Sequence, residues 1–364
     1  MKSQNILFVA IAIIAIAIGL YAQTWQHQDD APINLNKIIL LPQSKAIEEV
    51  TFTDHNGETF DAQRLLGKWS IIFFGFTNCP DICPTTLQTL SQIKTKLSTK
   101  NAWSPFQVIM VSVDPERDHI EKLKNYVPWF DKEFIGLAGE LEYTREFAKR
   151  LGILFFKSNE QSASVYEVDH SASLILINPA GQYAGVITAP HKVDEIEADL
   201  LILAKQYSES SASINSIESS PQTKIVETPT SPDEKQQNIV ISDQWIRAAP
   251  PSVTSMAAYM SLSNTTSSDI VITSIEAPDF EMTMIHDTSI ENGVASMDHL
   301  DSLTIESGKT VELAPLGKHV MLMRPNRALE KGSVSRLVLV DEKGVRYPLL
   351  VEVKANETKN QEKN

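Results

Sequence analysis

The chain has 364 residues, of which 42% are hydrophobic and 21% charged, and its formal net charge is −14 at pH 7. This length exceeds what one ordinary core accommodates, so we expect two domains with connecting segments. The acidic balance leaves no basic stripe to neutralise phosphates, which argues against a nucleic-acid partner.

The N-terminal residues 1–22 carry Lys2 followed by an unbroken apolar stretch from Ile6 to Ala22, the short end of what spans a bilayer. Such a stretch is a signal peptide or an anchor. We favour an uncleaved transmembrane helix, because Leu20 and Ala22 make a weak cleavage pattern. Basic groups precede the apolar stretch and acidic residues follow it, which predicts that the N-terminus lies in the cytoplasm. We therefore predict a single-pass inner-membrane protein with both domains in the periplasm.

The next segment, 23–46, is predicted to be a tether, and it leads into a domain that spans residues 47–207. Apolar runs typical of strands alternate there with stretches typical of helices, which predicts an α/β sheet. The predicted strands are Ile71–Phe76, Val108–Val113, Ser173–Ile177 and Tyr183–Ile187, and the predicted helices are Thr85–Leu97, Glu116–Tyr126, Thr144–Leu151 and Val193–Tyr207.

Composition changes after this domain. Residues 208–237 are rich in Ser, Pro and Gln and cannot bury a core, so they predict a flexible linker. Residues 238–354 contain short segments rich in Val, Ile and Thr separated by turn residues, which is typical of a β-sandwich. Residues 355–364 are polar and predict a disordered tail.

The chain has only two cysteines, Cys79 and Cys83, four positions apart. They lie between a predicted strand and a predicted helix, where N–H groups and the helix dipole favour the thiolate form. The spacing suits a shared metal ion or a reversible disulfide. A stapling disulfide is the weaker interpretation, because closing so short a loop removes little chain entropy. In an exported domain the pair would oxidise unless a metal or a reductant prevented it.

Three motifs occur in order in this domain. They are Phe76-Thr-Asn-Cys-Pro-Asp-Ile-Cys-Pro84, Val111-Ser-Val-Asp-Pro-Glu-Arg-Asp118, and Val168-Asp-His-Ser-Ala172 leading into Leu174-Ile-Leu-Ile-Asn-Pro-Ala-Gly181. On these motifs the domain resembles the Sco/SenC family, membrane-anchored thioredoxin-like proteins that handle copper for cytochrome c oxidase assembly. The resemblance implies that Cys79, Cys83 and His170 are copper ligands. Two thiolates and an imidazole suit Cu(I) or Cu(II).

Two acidic residues of these motifs have open roles. Asp81, between the cysteines, is able to accept a bond from a backbone N–H or to tune the charge at a metal. Asp114 precedes a proline, and its role is either functional or the shaping of a turn.

Seven of the nine methionines lie beyond residue 250. A single methionine there is better interpreted as filling a gap in a β core. The spacing is more specific: His286, ten residues, Met297, twenty-one residues, His319, one residue, Met321. This pattern resembles the signature of the PCuAC family of periplasmic copper chaperones, which implies a cupredoxin-like or immunoglobulin-like sandwich and makes these four residues copper ligands. Thioethers select Cu(I), and imidazoles bind Cu(I) or Cu(II).

One departure from that family concerns the loop Pro315-Leu-Gly-Lys-His319, where the family usually has a Pro-Gly-Gly run before the histidine. This departure puts the geometry of the loop in doubt more than the identity of the ligands. For Met284, Met323 and His299, core or surface roles are favoured over ligand roles.

Both halves resemble proteins that act on copper in one assembly pathway. We therefore predict a metallochaperone that binds Cu(I) or Cu(II) and delivers copper to the binuclear copper site of cytochrome c oxidase. The predicted partners are the copper-bearing oxidase subunit, other copper chaperones or thiol reductants, and the membrane. Two alternatives stay open. One is a thiol–disulfide oxidoreductase in which Cys79 attacks and Cys83 resolves, and the other is a copper buffer without a specific client.

Overall fold

The computed structural model describes residues 35–47, 49–162, 165–211, 238–250, 253–291 and 293–355. The predicted anchor at 1–22 lies outside these residues, as do most of the predicted tether, linker and tail. Within the described part of the chain, no helix is both long and apolar enough to cross a membrane.

The first domain is a mixed sheet flanked by helices. Its strands are β1 (Ile38–Ala46), β2 (Thr51–Asp54), β3 (Thr59–Asp61), β4 (Trp69–Gly75), β5 (Phe106–Ser112), β6 (Ile135–Ala138), β9 (Leu174–Ile177) and β10 (Gln182–Ile187), together with the hairpin β7 (Phe155–Ser162) and β8 (Val165–Ser171). Its helices are α1 (Ile82–Thr99), α2 (Ile120–Phe130), α3 (Leu141–Arg150) and α4 (Val193–Ser211), with a 3-10 turn at Ala62–Leu65.

The centre of this sheet explains where the cysteines are placed. Among the described residues the strand order is β1-β10-β9-β4-β5-β6-β2-β3, with β4 parallel to β5 and antiparallel to β9. The apolar run Ile71–Phe74 in β4 is fully buried, as a strand covered by helices on both faces requires. This run ends at the carboxyl edge of the sheet, and the cysteine loop follows there. The predicted thioredoxin-like α/β domain is confirmed.

Two boundaries of this domain differ from the sequence prediction. The tether predicted at 23–46 is wrong for its last part, because residues 38–46 form β1, which pairs with β10. Asp199 of α4 accepts hydrogen bonds at the start of this strand, from Lys37 N–H at 2.7 Å and Ile38 N–H at 2.9 Å. The strand was missed because Pro42 and the polar residues 43–45 interrupt its apolar start. The helix α4 continues to Ser211, four residues into the predicted linker.

The second domain is built from strands alone in its described residues. They are β11 (Ile239–Arg247), β12 (Ser255–Asn264), β13 (Ile270–Glu276), β14 (Phe280–Glu291), β15 (Val294–Leu300), β16 (Leu303–Ile305), β17 (Thr310–Leu313), β18 (Lys318–Pro325), β19 (Val334–Asp341) and β20 (Arg346–Lys354). Side chains from most of these strands share one apolar core that includes Met256, Met260 and Leu322. The prediction of a β-rich second domain is confirmed, and its sandwich subtype stays a prediction.

The two domains are joined by strand pairing. In the described residues the strand path of the second domain runs β16-β13-β19-β20-β11-β12-β18-β14-β15 and then continues into β8 and β7 of the first domain. At this seam, which consists of the β15–β8 pairing, Val294 is paired with Ser171 and Ala295 with His170. The Ala172 N–H also donates to the Gly293 carbonyl at 2.8 Å. The hairpin that carries His170 is therefore an edge extension of the second domain's sheet.

Candidate metal centre

The cysteine loop lies between the end of β4 and the start of α1, as the sequence predicts. Cys79 is in the loop, Cys83 is in the first turn of α1, and both are buried free thiols. The Cys83 N–H donates to the Cys79 sulfur at 3.4 Å, so Cys79 caps the helix with its sulfur. Gly75 gives the loop room: a Cβ there would lie 2.5 Å from the Phe73 ring and 3.0 Å from the Cys83 sulfur.

The two thiols are electrostatically different. Burial raises the pKa of Cys79, but hydrogen bonds from the Cys83 thiol and from backbone N–H groups outweigh it, so the pKa of Cys79 lies below its usual value. Burial raises the pKa of Cys83 well above the ordinary value, and its bond to Cys79 adds to this effect. Cys79 is therefore the thiol that ionises first, and Cys83 stabilises its thiolate.

His170 reaches the cysteines from the seam strand β8. Its Nε2 lies 3.7 Å from the Cys83 sulfur, and its Nδ1 lies 3.1 Å from the Ser171 carbonyl oxygen. Because a carbonyl only accepts, Nδ1 carries the proton and Nε2 presents its lone pair to the sulfur. Burial lowers the pKa of His170, which keeps the ring neutral, as a metal ligand must be.

The methionine–histidine set occupies three neighbouring strands. His286 on β14 is paired with His319 on β18, with the ring centroids 5.8 Å apart. Met297 on β15 is paired with Thr288, two residues along β14 from His286. Met321 lies two residues along β18 from His319. Paired residues share a face and so do residues two apart, so all four buried side chains lie on one face, which we call the copper face.

Both histidines of the copper face have features that suit a metal ligand. The Nδ1 of His319 lies 3.0 Å from the Gly317 carbonyl and therefore carries the proton, which leaves the buried Nε2 without a hydrogen-bond partner in the described residues. Burial, together with the neighbouring His319 and His299, lowers the pKa of His286 to about 3. Neutral imidazole is the ligating form.

Three neighbours were disfavoured as ligands from the sequence. Met284 is paired with Met321 and is half-buried on the copper face, and Met323 lies further along β18. His299 is paired with His286 but is exposed, and its Nε2 lies 3.6 Å from Asp301. The preference for core or surface roles over ligand roles stays a prediction for these three.

Asp81 brings the two ligand sets together. Its fully buried carboxylate accepts hydrogen bonds from four groups of the second domain: the Tyr259 hydroxyl at 2.9 Å, the Thr288 hydroxyl at 3.1 Å, the Leu316 N–H at 2.8 Å and the Arg247 guanidinium at 3.3 Å. The Nδ1 of His319 is 3.9 Å from the same carboxylate. The loop with Cys79 and Cys83 therefore lies against the copper face.

The pairing of β8 with β15 also places His170 on the copper face. His170 is paired with Ala295, which is two residues along β15 from Met297. Side chains at these positions lie on the same face of the extended sheet. In the described part of the chain, however, no three His, Cys, Asp or Glu side chains are grouped closely enough to hold an ion as they stand.

Sequence reasoning missed the residues that hold the loop. Arg247 donates to the Asp81 carbonyl at 2.9 Å and to its carboxylate at 3.3 Å, and its guanidinium lies 5.0 Å from the centre of the Tyr259 ring. No local pattern marks this arginine, because its partner lies 166 positions away in the chain. Asp114, whose role was open, is buried, pairs with Arg117 and accepts N–H bonds in the turn before α2, which is the turn-shaping role.

Comparisons with known proteins agree with this organisation. Residues 41–205 match the SCO1/SenC family model. A putative copper-binding protein from Stutzerimonas stutzeri is 35% identical over 197 residues, which cover 54% of this chain and 95% of that protein. The chain belongs to the SCO1/SenC family. Outside the SCO1/SenC domain, residues 239–353 match the model described as putative lipoprotein LpqE-like, which confirms a PCuAC-type second domain.

Other relatives match the SCO1/SenC domain alone. The human mitochondrial protein SCO1 homolog is 30% identical over 157 residues, which cover 43% of this chain and 52% of that protein. The crystal structure of Arabidopsis thaliana ScoI with copper bound is 32% identical, with a TM-score of 0.42, and the match covers 44% of this chain and 100% of that structure. The chain thus spans about half the length of the human relative.

Proposed function

We propose that this protein is a membrane-anchored copper metallochaperone of the periplasm. In this proposal the methionine–histidine site receives Cu(I), passes it to Cys79, Cys83 and His170, and the first domain delivers it to the binuclear copper site of cytochrome c oxidase. One relative, described as a putative copper-binding protein, supports the choice of metal. Anchoring through residues 1–22 is part of the proposal.

The donor sets support copper independently of the relatives. Two thioethers with two neutral imidazoles form a soft site that carries no charge, and two thiolates with an imidazole form a soft site with negative charge. A monovalent soft cation is therefore held more tightly by the second set. Because Cu(I) keeps its oxidation state during ligand exchange, the transfer needs no electron donor, but it does need Cys79 and Cys83 in the reduced form.

One observation carries the proposed handover: His170 lies on the copper face of the extended sheet, and the loop with Cys79 and Cys83 packs against that face. His170 enters from β8, which is paired with β15, the strand that carries Met297. Asp81, between the two cysteines, lies 3.9 Å from His319. The cysteine loop is therefore within reach of an ion that leaves the copper face on the side of Asp81.

An anaerobic Cu(I) titration tests the proposal. The reduced protein without residues 1–22 is titrated against a competing chelator beside a Cys79→Ser/Cys83→Ser variant. We expect two copper ions per chain, falling to one in the variant. One ion in both proteins would confine binding to the second domain and refute the handover.

Delivery and anchoring need separate measurements. With one Cu(I) per chain, X-ray absorption should show the set of two sulfurs and one nitrogen of the thiolate site, not the two sulfurs and two nitrogens of the methionine–histidine site. The ion should then move to added oxidase copper domain. Tight binding without transfer would indicate a copper buffer. Retention of the full chain in the membrane fraction, with release of the chain lacking residues 1–22, is the expected result for an anchor.

A second candidate function is supported by the difference between the thiols. The lowered pKa of Cys79 beside the raised pKa of Cys83 suits an attacking and a resolving thiol. The Cys79 thiolate would attack a partner disulfide, and Cys83 would displace the partner, leaving a Cys79–Cys83 disulfide and a reduced partner. This activity should persist in His170→Ala, whereas Cu(I) affinity should fall, so that variant separates the two functions.

A further inference from the structure

The carboxylate of Asp81 is not used by its own domain. Asp81 precedes the first residue of α1, yet its side chain makes no capping bond to the helix. Its one side-chain partner within the first domain is the Thr85 hydroxyl, at a long 3.4 Å, among the described residues. A buried carboxylate without good partners is strongly unfavourable. The residue must therefore be explained by what the second domain supplies.

The second domain supplies a complete receptor for this carboxylate. Tyr259 and Arg247 bond one oxygen, and Thr288 and the Leu316 N–H bond the other. The residues come from four separate places in the second domain: β11, β12, β14 and the loop before β18. Burial raises the pKa of Tyr259 well above its usual value, so its hydroxyl stays protonated and able to donate.

The backbone on either side of Cys79 is held by the same domain. The Ser255 hydroxyl donates to the Asn78 carbonyl at 2.7 Å, and Arg247 donates to the Asp81 carbonyl at 2.9 Å. The exposed fraction of Arg247 is only 3%, so its side chain lies almost wholly within this interface. The contacts therefore hold the loop on both sides of Cys79.

The loop before His319 is shaped for this contact. Gly317 N–H donates to the Ala314 carbonyl at 3.1 Å, which closes a turn with Leu316 at its third position and a φ of +65°. Glycine is the favoured residue there, since the left-handed region is strained for leucine. In this turn the Leu316 N–H points at Asp81, and its side chain lines a small cavity with Ile82 and Ala172 of the first domain.

We propose that Asp81 is the residue by which the second domain recognises the cysteine loop, and that it positions Cys79 and Cys83 over the copper face. The purpose of this docking rests on the proposed copper handover. The docking itself does not require copper. Asp81 is a positioning residue, and the partner it fits is the PCuAC-type domain of the same chain.

Hydrogen exchange in the copper-free, reduced full chain tests the proposal. The observed peptides are those that cover β8 and β15, whose pairing forms the seam between the domains. We expect Asp81→Asn and Arg247→Gln to speed exchange there at least tenfold, and Tyr259→Phe severalfold, while exchange in the β4–β5 and β11–β12 ladders stays unchanged. Unchanged ladders show that both domains remain folded.

Tyr347→Phe is the matched control. Tyr347 is buried and donates to Asp341 at 3.1 Å, so its substitution removes the same kind of Tyr–Asp bond away from the seam. Asp81→Glu keeps the carboxylate and should restore most of the seam's protection. Seam exchange within twofold of the Tyr347→Phe protein in all three interface variants would overturn the proposal, as would equal effects of Asn and Glu at position 81.

The same variants separate this inference from the proposed function. Faster seam exchange accompanied by slower movement of Cu(I) to the thiolate site supports both. Faster seam exchange with unchanged copper movement would leave Asp81 as the docking residue and refute handover across this interface. Slower copper movement with unchanged seam exchange would overturn the docking role.

Discussion

The two ligand sets are assembled in different ways. In the first domain, Cys79 and Cys83 come from one loop and helix start, and a single residue, His170, arrives from a distant strand. In the second domain, the four residues come from three strands that are brought side by side by their pairing. A site built on one loop depends on local backbone shape, whereas a site built across strands depends on register. The two sites should therefore respond differently to substitution.

The largest expected effect is the fall in Cu(I) affinity when candidate ligands are removed. Cys79→Ser/Cys83→Ser removes both thiolates, and we expect the Cu(I) affinity of the first site to fall by at least about 10³-fold, because a hydroxyl is a poor ligand for a soft cation. Met297→Leu removes one of four ligands and should weaken the second site by about tenfold. Competition titrations measure both. Equal losses in the two variants would contradict the difference in donor strength.

Substitutions of Gly75 and Gly317 compare the backbone packing beside the two sites. Gly75→Ala places a Cβ 2.5 Å from the Phe73 ring, and we expect a loss of about 1–3 kcal/mol in the free energy of unfolding from overpacking. Gly317→Ala, beside the other site, meets no atom closer than 3.5 Å and should change stability by less than about 0.5 kcal/mol. Urea unfolding measures the loss of stability in each variant. A larger loss for Gly317→Ala would contradict the expectation that Gly75 is the more tightly packed position.

Acid should destabilise the copper-free protein through the buried histidines. The pKa of His286 is lowered from 6.5 to about 3, so between these values the unfolded chain binds a proton that the folded chain does not. The stability contribution is present above pH 6.5 and is lost as pH falls, by about 2 kcal/mol from pH 7 to pH 5. His170 and His191, also buried with lowered pKa values, act in the same direction.

Urea midpoints at the two pH values measure this loss in the wild type and in His286→Asn. The variant should show the smaller pH dependence. His119→Asn, which replaces an exposed histidine of the first domain, is the control and should retain the wild-type dependence. An unchanged dependence in His286→Asn would assign the effect to other groups.

The smallest expected effect is that of Leu316→Gly. Glycine relieves the left-handed strain of about 1 kcal/mol but removes the side chain that lines the cavity beside Ile82, so the net change in the free energy of unfolding should be under about 1 kcal/mol. Calorimetry measures this net change. A gain clearly above this value would show that the side chain contributes nothing to the contact between the domains.

Local patterns in the sequence were sufficient for much of the first domain and for the candidate ligands. The buried run at Ile71–Phe74 marked β4, and the cysteine pair marked the junction with α1, because these features depend on neighbours within a few residues. The spacing of His286, Met297, His319 and Met321 indicated a shared site. The structure places these four on one face, and their ligand roles remain predictions.

Other features were decided only by tertiary structure. The strand β1 was missed because Pro42 and the polar residues 43–45 interrupt its apolar start, and only its pairing with β10 reveals it. The role of Asp81 was undecided from sequence because the carboxylate is satisfied by Tyr259, Thr288 and Leu316, which lie between 178 and 235 positions away. The sequence alone determined which residues have the chemistry to bind a soft metal. The pairing of β8 with β15 decided that His170 shares a face with Met297, because strand register across domains leaves no local pattern.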